Sequence, residues 1–266
     1  MALSDKPAKF ARWGLNAALA VLFILELLTP ADSPWIGAGL IVLAAVTSML
    51  SMAKKLPLQN ILLAAAITAL IGGIAFSLTA QPAIAMPFGP LVFGPGAGGK
   101  IFNVVPWPLP VMCIVVIFTS RGVARHILRP WRKLRKHYGW WVILLTALLV
   151  TAFDLALQPF AVRNADFWLW QPTKMPALWD GASPLDPVGW FFVTVLILAI
   201  ITPSLIRKQP GKRHHEPMEY HPVAVWLGAL LLFAVGAVRA GAMAALWFDA
   251  GLAAVTLTFV VRGAKW

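Results

Sequence analysis

Eight apolar runs, each near the length of a membrane-crossing helix and divided by short basic segments, constrain this chain more than any other feature. A helix needs roughly 20 apolar residues to cross the hydrocarbon core of a bilayer. Runs near that length lie at 13–29, 35–53, 57–79 and 103–120, and again at 139–159, 188–206, 222–239 and 242–261. The last two form one apolar stretch broken only at Arg239, Ala240 and Gly241, too long for one span and suited to a tight hairpin. The expected fold is all-α: a polytopic transmembrane helical bundle of about eight helices, in one integral membrane domain over 1–266.

Composition agrees, with 60% hydrophobic and only 12% charged residues, against roughly a quarter charged in soluble domains. No polar stretch is long enough to fold alone. The net charge of +12 would suit a nucleic-acid partner only on a folded soluble surface. Here the basic residues fall between apolar runs, where they set orientation and meet anionic lipid headgroups. Membrane lipids are thus the expected contact, and no nucleic acid. The single cysteine, Cys113, lies inside an apolar run, which rules out a disulfide framework within one chain. The basic start (Lys6, Lys9, Arg12) resembles a signal peptide, but its apolar run continues to Leu28 without a small-residue cleavage site, so a retained first helix is expected.

With both ends in the cytoplasm, 18 of the 22 Lys and Arg residues fall on the inner side. They comprise Lys6, Lys9, Arg12, Lys54, Lys55, seven basics between Arg121 and Lys136, Arg207, Lys208, Lys212, Arg213, Arg262 and Lys265. Only Lys100, Arg163, Lys174 and Arg239 remain outside. The positive-inside rule therefore favours an N-in, C-in chain, expected in the cell inner (cytoplasmic) membrane. Two outer loops are long: 80–102, rich in Pro and Gly, and 160–187, rich in Trp and Asp. Long structured loops tend to carry function. The first, apolar at Met86, Phe88, Leu91, Val92 and Phe93, reads equally as a surface linker or as backbone dipping inward under protein cover.

Acids inside the runs are few, and all lie toward the outer side: Glu26, Asp154 and Asp249, with Arg239 at the last hairpin. An intramembrane charge is a functional candidate by default because insertion is costly. For Glu26 the favoured reading is snorkelling to water, and for Asp249 an ion pair with Arg239 stands level with a functional role. Asp154 shares a helical face with Thr151 and Gln158. Desolvation there favours its neutral, proton-donating form, which suits a general acid as well as an interhelical hydrogen bond. Asp166, Trp168, Trp170, Trp179, Asp180, Asp186 and Trp190 mix rings and carboxylates in and beside the second loop. Interfacial belts use tryptophan for anchoring, and rings facing a cavity can stabilise a cation.

Several chemistries lack their residues. His214, His215 and His221 fall short of a di-iron set. The Asp180 to Asp186 spacing poorly matches a magnesium–diphosphate motif, and no Gly-Lys-Ser/Thr phosphate loop occurs. A transporter would need a repeat or a midplane polar path, and neither is present.

The segments MPFGPLVFGPGAGGKIFNVVPWPLP at 86–110, FDLALQPFAVRNADFWLWQ at 153–171 and PVGWF at 187–191 resemble the carotenoid biosynthesis membrane hydratases. These include the γ-carotene hydratases of bacteria and the bisanhydrobacterioruberin hydratases of archaea. The likeness spans about 100 residues and follows an order: Pro87-Phe88-Gly89, Gly99-Lys100 leading to Pro106 and Pro110, Asp154-Leu155 with Pro159, Trp168 with Trp170, and Gly189-Trp190. It implies cofactor-free addition of water to the terminal C1,2 double bond of an acyclic carotenoid or similar polyene lipid. On that resemblance Asp154, Gln158, Asp166 and Asp186 are the candidate catalytic residues, with Asp154 as acid and Asp166 or Asp186 holding water. Phe88, Phe93, Trp168, Trp170 and Trp190 are candidates for lining the polyene end.

Departures from the family pattern are specific. Gln158 stands where the family has a second Asp before the proline, and Asp186 where it has Asn. Leu91 and Phe93 replace tyrosines, and an acid upstream of Pro87 is missing. Two readings follow: an acid-initiated hydratase, or a carotenoid- or lipid-binding subunit working with membrane protein partners. A solute transporter ranks third.

Overall fold

The computed structural model describes residues 6–28, 34–131, 137–172, 176–177, 179–205 and 219–265. The basic residues at 132–136 and 207–213, with Lys174, His214 and His215, lie outside the described residues. Eight helices long and apolar enough to cross a membrane make up most of the described chain. They are α1 (Lys6–Leu28), α2 (Pro34–Ala53), α3 (Leu58–Thr79), α4 (Pro108–Ile127), α5 (Tyr138–Arg163), α6 (Leu185–Ile201), α7 (His221–Arg239) and α8 (Met243–Ala264). The protein is an all-α polytopic bundle, multi-pass by the length and apolarity of its helices.

Three boundaries bear on the site. α4 begins at Pro108, five residues beyond the expected start at 103, because Phe102 and Asn103 take positive φ and Val105–Pro106 folds back to pair with Lys100–Ile101. Pro108 then sits in the first turn, where its missing N–H costs nothing. α5 runs through Pro159 to Arg163, which carries Gln158 inside the helix rather than at its end. α6 starts at Leu185 and takes Asp186 into its first turn.

α4 is the hub, packed against α2, α3, α5, α7 and α8. Its middle, from Met112 to Ser120, is buried throughout, as expected of a helix apolar all round. Where α3 crosses it, Gly72 lets the backbone close on Cys113: a Cβ at Gly72 would stand 2.6 Å from the sulfur. Small residues permit such approaches, which supply much of the packing energy between helices in lipid.

The two long outer loops are joined. β1 (Leu91–Phe93) pairs antiparallel with β4 (Trp168–Trp170), in the register Leu91 opposite Trp170 and Phe93 opposite Trp168. The other two strands, β2 (Lys100–Ile101) and β3 (Val105–Pro106), form a small hairpin within the first loop. The alternation of strand side chains buries Leu91 and Phe93 and exposes Val92. The first loop is therefore folded inward under protein cover rather than laid out as a surface linker, with Phe88 only 1% exposed.

At the basic end of the bundle the Lys54 ammonium meets Glu219 at 2.7 Å. The Glu219 carbonyl lies 2.8 Å from His126 Nε2, and Tyr220 stacks on the His126 ring. These contacts tie the α2–α3 turn, the end of α4 and the start of α7 together. The ion pair itself is largely exposed, so its own contribution is small, about 0–1 kcal/mol. At the other end Arg239 donates to the Leu27 carbonyl, joining α7 to α1. The Arg239–Asp249 pair does not form: Asp249 is buried in α8, and neither carboxyl oxygen is hydrogen-bonded to a described residue.

Reporter fusions test the orientation. Alkaline phosphatase fused after Pro172 is expected to be active and green fluorescent protein fused after Lys265 to fluoresce. The reverse pattern would invert the topology.

Candidate functional site

Asp154 and Gln158 lie one turn apart on α5, so they project from the same face. That face packs against α6, whose first turn brings in Asp186. The Gln158 amide nitrogen donates to Asp154 Oδ1 and Oδ2, each at 3.2 Å, and to Asp186 Oδ2 at 2.8 Å. Its amide oxygen accepts from Trp168 Nε1 at 3.1 Å and Trp170 Nε1 at 3.0 Å. An indole N–H can only donate, so the oxygen must face the tryptophans and the nitrogen the carboxyls. The amide orientation is fixed by chemistry as well as by geometry.

Asp154 and Asp186 thus accept from one and the same amide nitrogen, which holds the two carboxyls side by side. The acids form a buried pair, both 2% exposed, on a Gln158 that is fully buried. One turn before Asp154, the Thr151 hydroxyl bonds the Ala147 carbonyl at 3.0 Å and reaches Pro187 of α6 at 3.4 Å, closing the helix pair from below.

An aromatic group adjoins the pair. The Phe88 ring lies on Trp190 with centroids 4.9 Å apart and planes tilted by 31°. Phe76 of α3 packs edge-on to Trp190 at 5.9 Å and to Phe93 at 6.2 Å. Phe88 is placed by two local features: its N–H donates to Thr79 Oγ1 at 3.3 Å, and its backbone lies directly on Gly189, where a Cβ would stand 2.5 Å from the Pro87 carbonyl oxygen. Only glycine in α6 allows the Pro-Phe-Gly turn to come this close.

The structure brings together Asp154, Gln158, Asp186, Trp168, Trp170, Trp190, Phe88 and Phe93. It does not bring Asp166 with them. Asp166 is exposed at a positive-φ position, and its carbonyl accepts from the Gly96 N–H at 3.1 Å, so its place is in the joint between the two outer loops. Phe76 was missed in the sequence, since one ring in an apolar helix carries no signal of its own. The two departures at 158 and 186 prove to be neighbours: the expected acid and amide have exchanged positions across one hydrogen bond. The count of acids at the contact is unchanged.

A separate apolar slot of about 520 Å³ lies among α1, α2, α4, α5 and α7. Its α5 wall is Phe153, Leu157 and Phe160, not Asp154, so the acid pair and the slot lie on different faces of one helix. Glu26 lines it and is only 6% exposed within the protein, which replaces the expected route to water by snorkelling.

Gln158→Glu is expected to remove the amide donor that both acids accept from and lower the melting temperature of the solubilised protein by several degrees. An unmet buried polar group costs about 1–3 kcal/mol. Adding Asp186→Asn restores a donor opposite the new acid and should recover most of the loss, as read by thermal unfolding of the single and double variants.

No curated protein and no solved structure matches the chain. A family model described as carotenoid biosynthesis protein matches residues 36–260, a range that takes in seven of the eight helices and every residue of the acid–aromatic cluster. The chain belongs to the carotenoid biosynthesis protein family.

Proposed function

We propose that this membrane protein, in the cytoplasmic membrane, hydrates the terminal C1,2 double bond of an acyclic carotenoid end group. The observation that carries the reading is the carboxyl pair Asp154–Asp186, buried beside aromatic rings and held by one amide. Hydration of a trisubstituted alkene needs an acid for C2, tolerance of a tertiary cation at C1, and a base for the incoming water.

Asp154 gives its proton to C2 as the π bond breaks, leaving the cation at C1. The faces of Trp190 and Phe88 stabilise that charge through their quadrupoles, each contact contributing on the order of 1–2 kcal/mol in a dry site. Water then forms the C–O bond at C1, and its proton passes to the Asp186 carboxylate. Proton transfer from Asp186 to the adjacent Asp154 then resets the site with no cofactor and no net change in protonation. Gln158 holds both carboxyls in register and tethers them to Trp168 and Trp170 on β4. Trp170 is half-buried while the acids and Gln158 are buried, so the end group enters on its side of the cluster. Asp166 has no part in this scheme.

Coexpression with lycopene synthesis gives the test. Pigments extracted from the host should gain the mass of one water per hydrated end. Asp154→Asn should reduce conversion by about a hundredfold or more, the usual scale for loss of a positioned general acid. Unchanged pigments with well-expressed protein, or full conversion by Asp154→Asn, would refute the proposal.

A further inference from the structure

The apolar slot has two features that interhelical packing alone does not explain. Its length is considerable: along α7 it extends from His221 to Phe233, about 18 Å at the helical rise per residue. At about 520 Å³ it falls among ligand-binding cavities rather than packing defects, which interiors keep to about the size of a water molecule. The second feature is where its polar groups lie. Glu26 is at the outer end of the slot, and no described residue pairs with its carboxyl. Gly37 of α2 faces it, where a Cβ would stand 3.7 and 3.9 Å from the two carboxyl oxygens, in ordinary contact. His221 stands at the basic end, with both ring nitrogens buried and hydrogen-bonded to no described residue. Between these ends the walls are apolar except for Asn16 of α1.

A buried carboxyl without a partner costs free energy that a hydrogen-bonding ligand restores. We infer that the slot binds one linear apolar chain bearing a terminal hydroxyl, with the hydroxyl on Glu26 and the chain running along α7 toward His221. Two sources have this chemistry, an isoprenoid alcohol and an acyl-chain lipid. The site is independent of the hydration chemistry, because α5 stands between the slot and the Asp154–Asp186 pair.

Gly228 provides the control on space. It lines the slot, and a Cβ there would meet only Phe23, at 3.8 Å. Gly228→Phe therefore blocks the slot, whereas Gly228→Ala leaves it open. The full-length protein in detergent would be mixed with geranylgeraniol or hexadecanol and examined by native mass spectrometry. One bound alcohol per chain is expected. Occupancy should fall about tenfold or more in Gly228→Phe and Glu26→Leu, and persist in Gly228→Ala and Glu26→Gln. Preference for geranylgeraniol identifies an isoprenoid ligand, and equal or better binding of hexadecanol an acyl lipid. Absence of a stoichiometric adduct with either alcohol overturns the inference. So does wild-type binding by Gly228→Phe, or loss of binding in Gly228→Ala.

Discussion

The amide of Gln158 is the contact on which the outer half of this bundle depends. In an apolar bundle every buried polar atom must find its partner within the protein. One side chain here serves two acids from different helices and two indoles from a strand between them. Its oxygen is committed to donors and its nitrogen to acceptors, so it cannot turn over without breaking both sets. α5, α6 and β4 are thereby locked in a single arrangement, and β4 in turn fixes β1 and the first outer loop through backbone pairing. The position of Phe88 beside Trp190 is thus a consequence, at several removes, of an amide on α5.

The same amide shows how two acids on different helices can be held as one contact. Acid and amide form a complementary pair whichever side each stands on, provided the hydrogen bond between them is kept. Here the second acid, Asp186, stands on the adjacent helix and is joined to Asp154 through the Gln158 amide. An acid one turn away on α5 would move with Asp154. An acid on α6 makes the pair depend on the packing of two helices, and Thr151, reaching Pro187 from below, helps hold that packing.

Legibility in the sequence followed the range of the physics involved. Helix existence was readable because apolar length and basic spacing are local properties, and the break at Arg239 to Gly241 marked the last hairpin. Membership of the cluster was readable for Asp154, Gln158, Trp168 and Trp190, since a helical repeat or a family motif placed each of them. Asp166 was misleading for a reason of backbone: it follows the same run of acids and rings, but its positive φ turns it away at the loop joint. The β1–β4 pairing was not readable, because the strands are three residues each and separated by more than 70 positions. Strand partners that distant leave no local periodicity. The start of α4 was missed for a related reason: hydropathy alone does not register that Val105 and Pro106 pair backward.

α5 divides the molecule into two environments, and its sequence shows how. Positions 153, 157 and 160 present Phe, Leu and Phe to the slot, whereas 154 and 158 present Asp and Gln to α6. A helix with 3.6 residues per turn places these two sets on different faces. Each face has its own character: toward α6 the helix presents an acid and an amide that meet Asp186, and toward the slot it presents only apolar side chains. Mean hydropathy along α5 is high on both counts and would not distinguish the faces. The distinction lies in the order of residues, and it allows one helix to serve as the wall of a lipid-sized slot and as the support of an acid site.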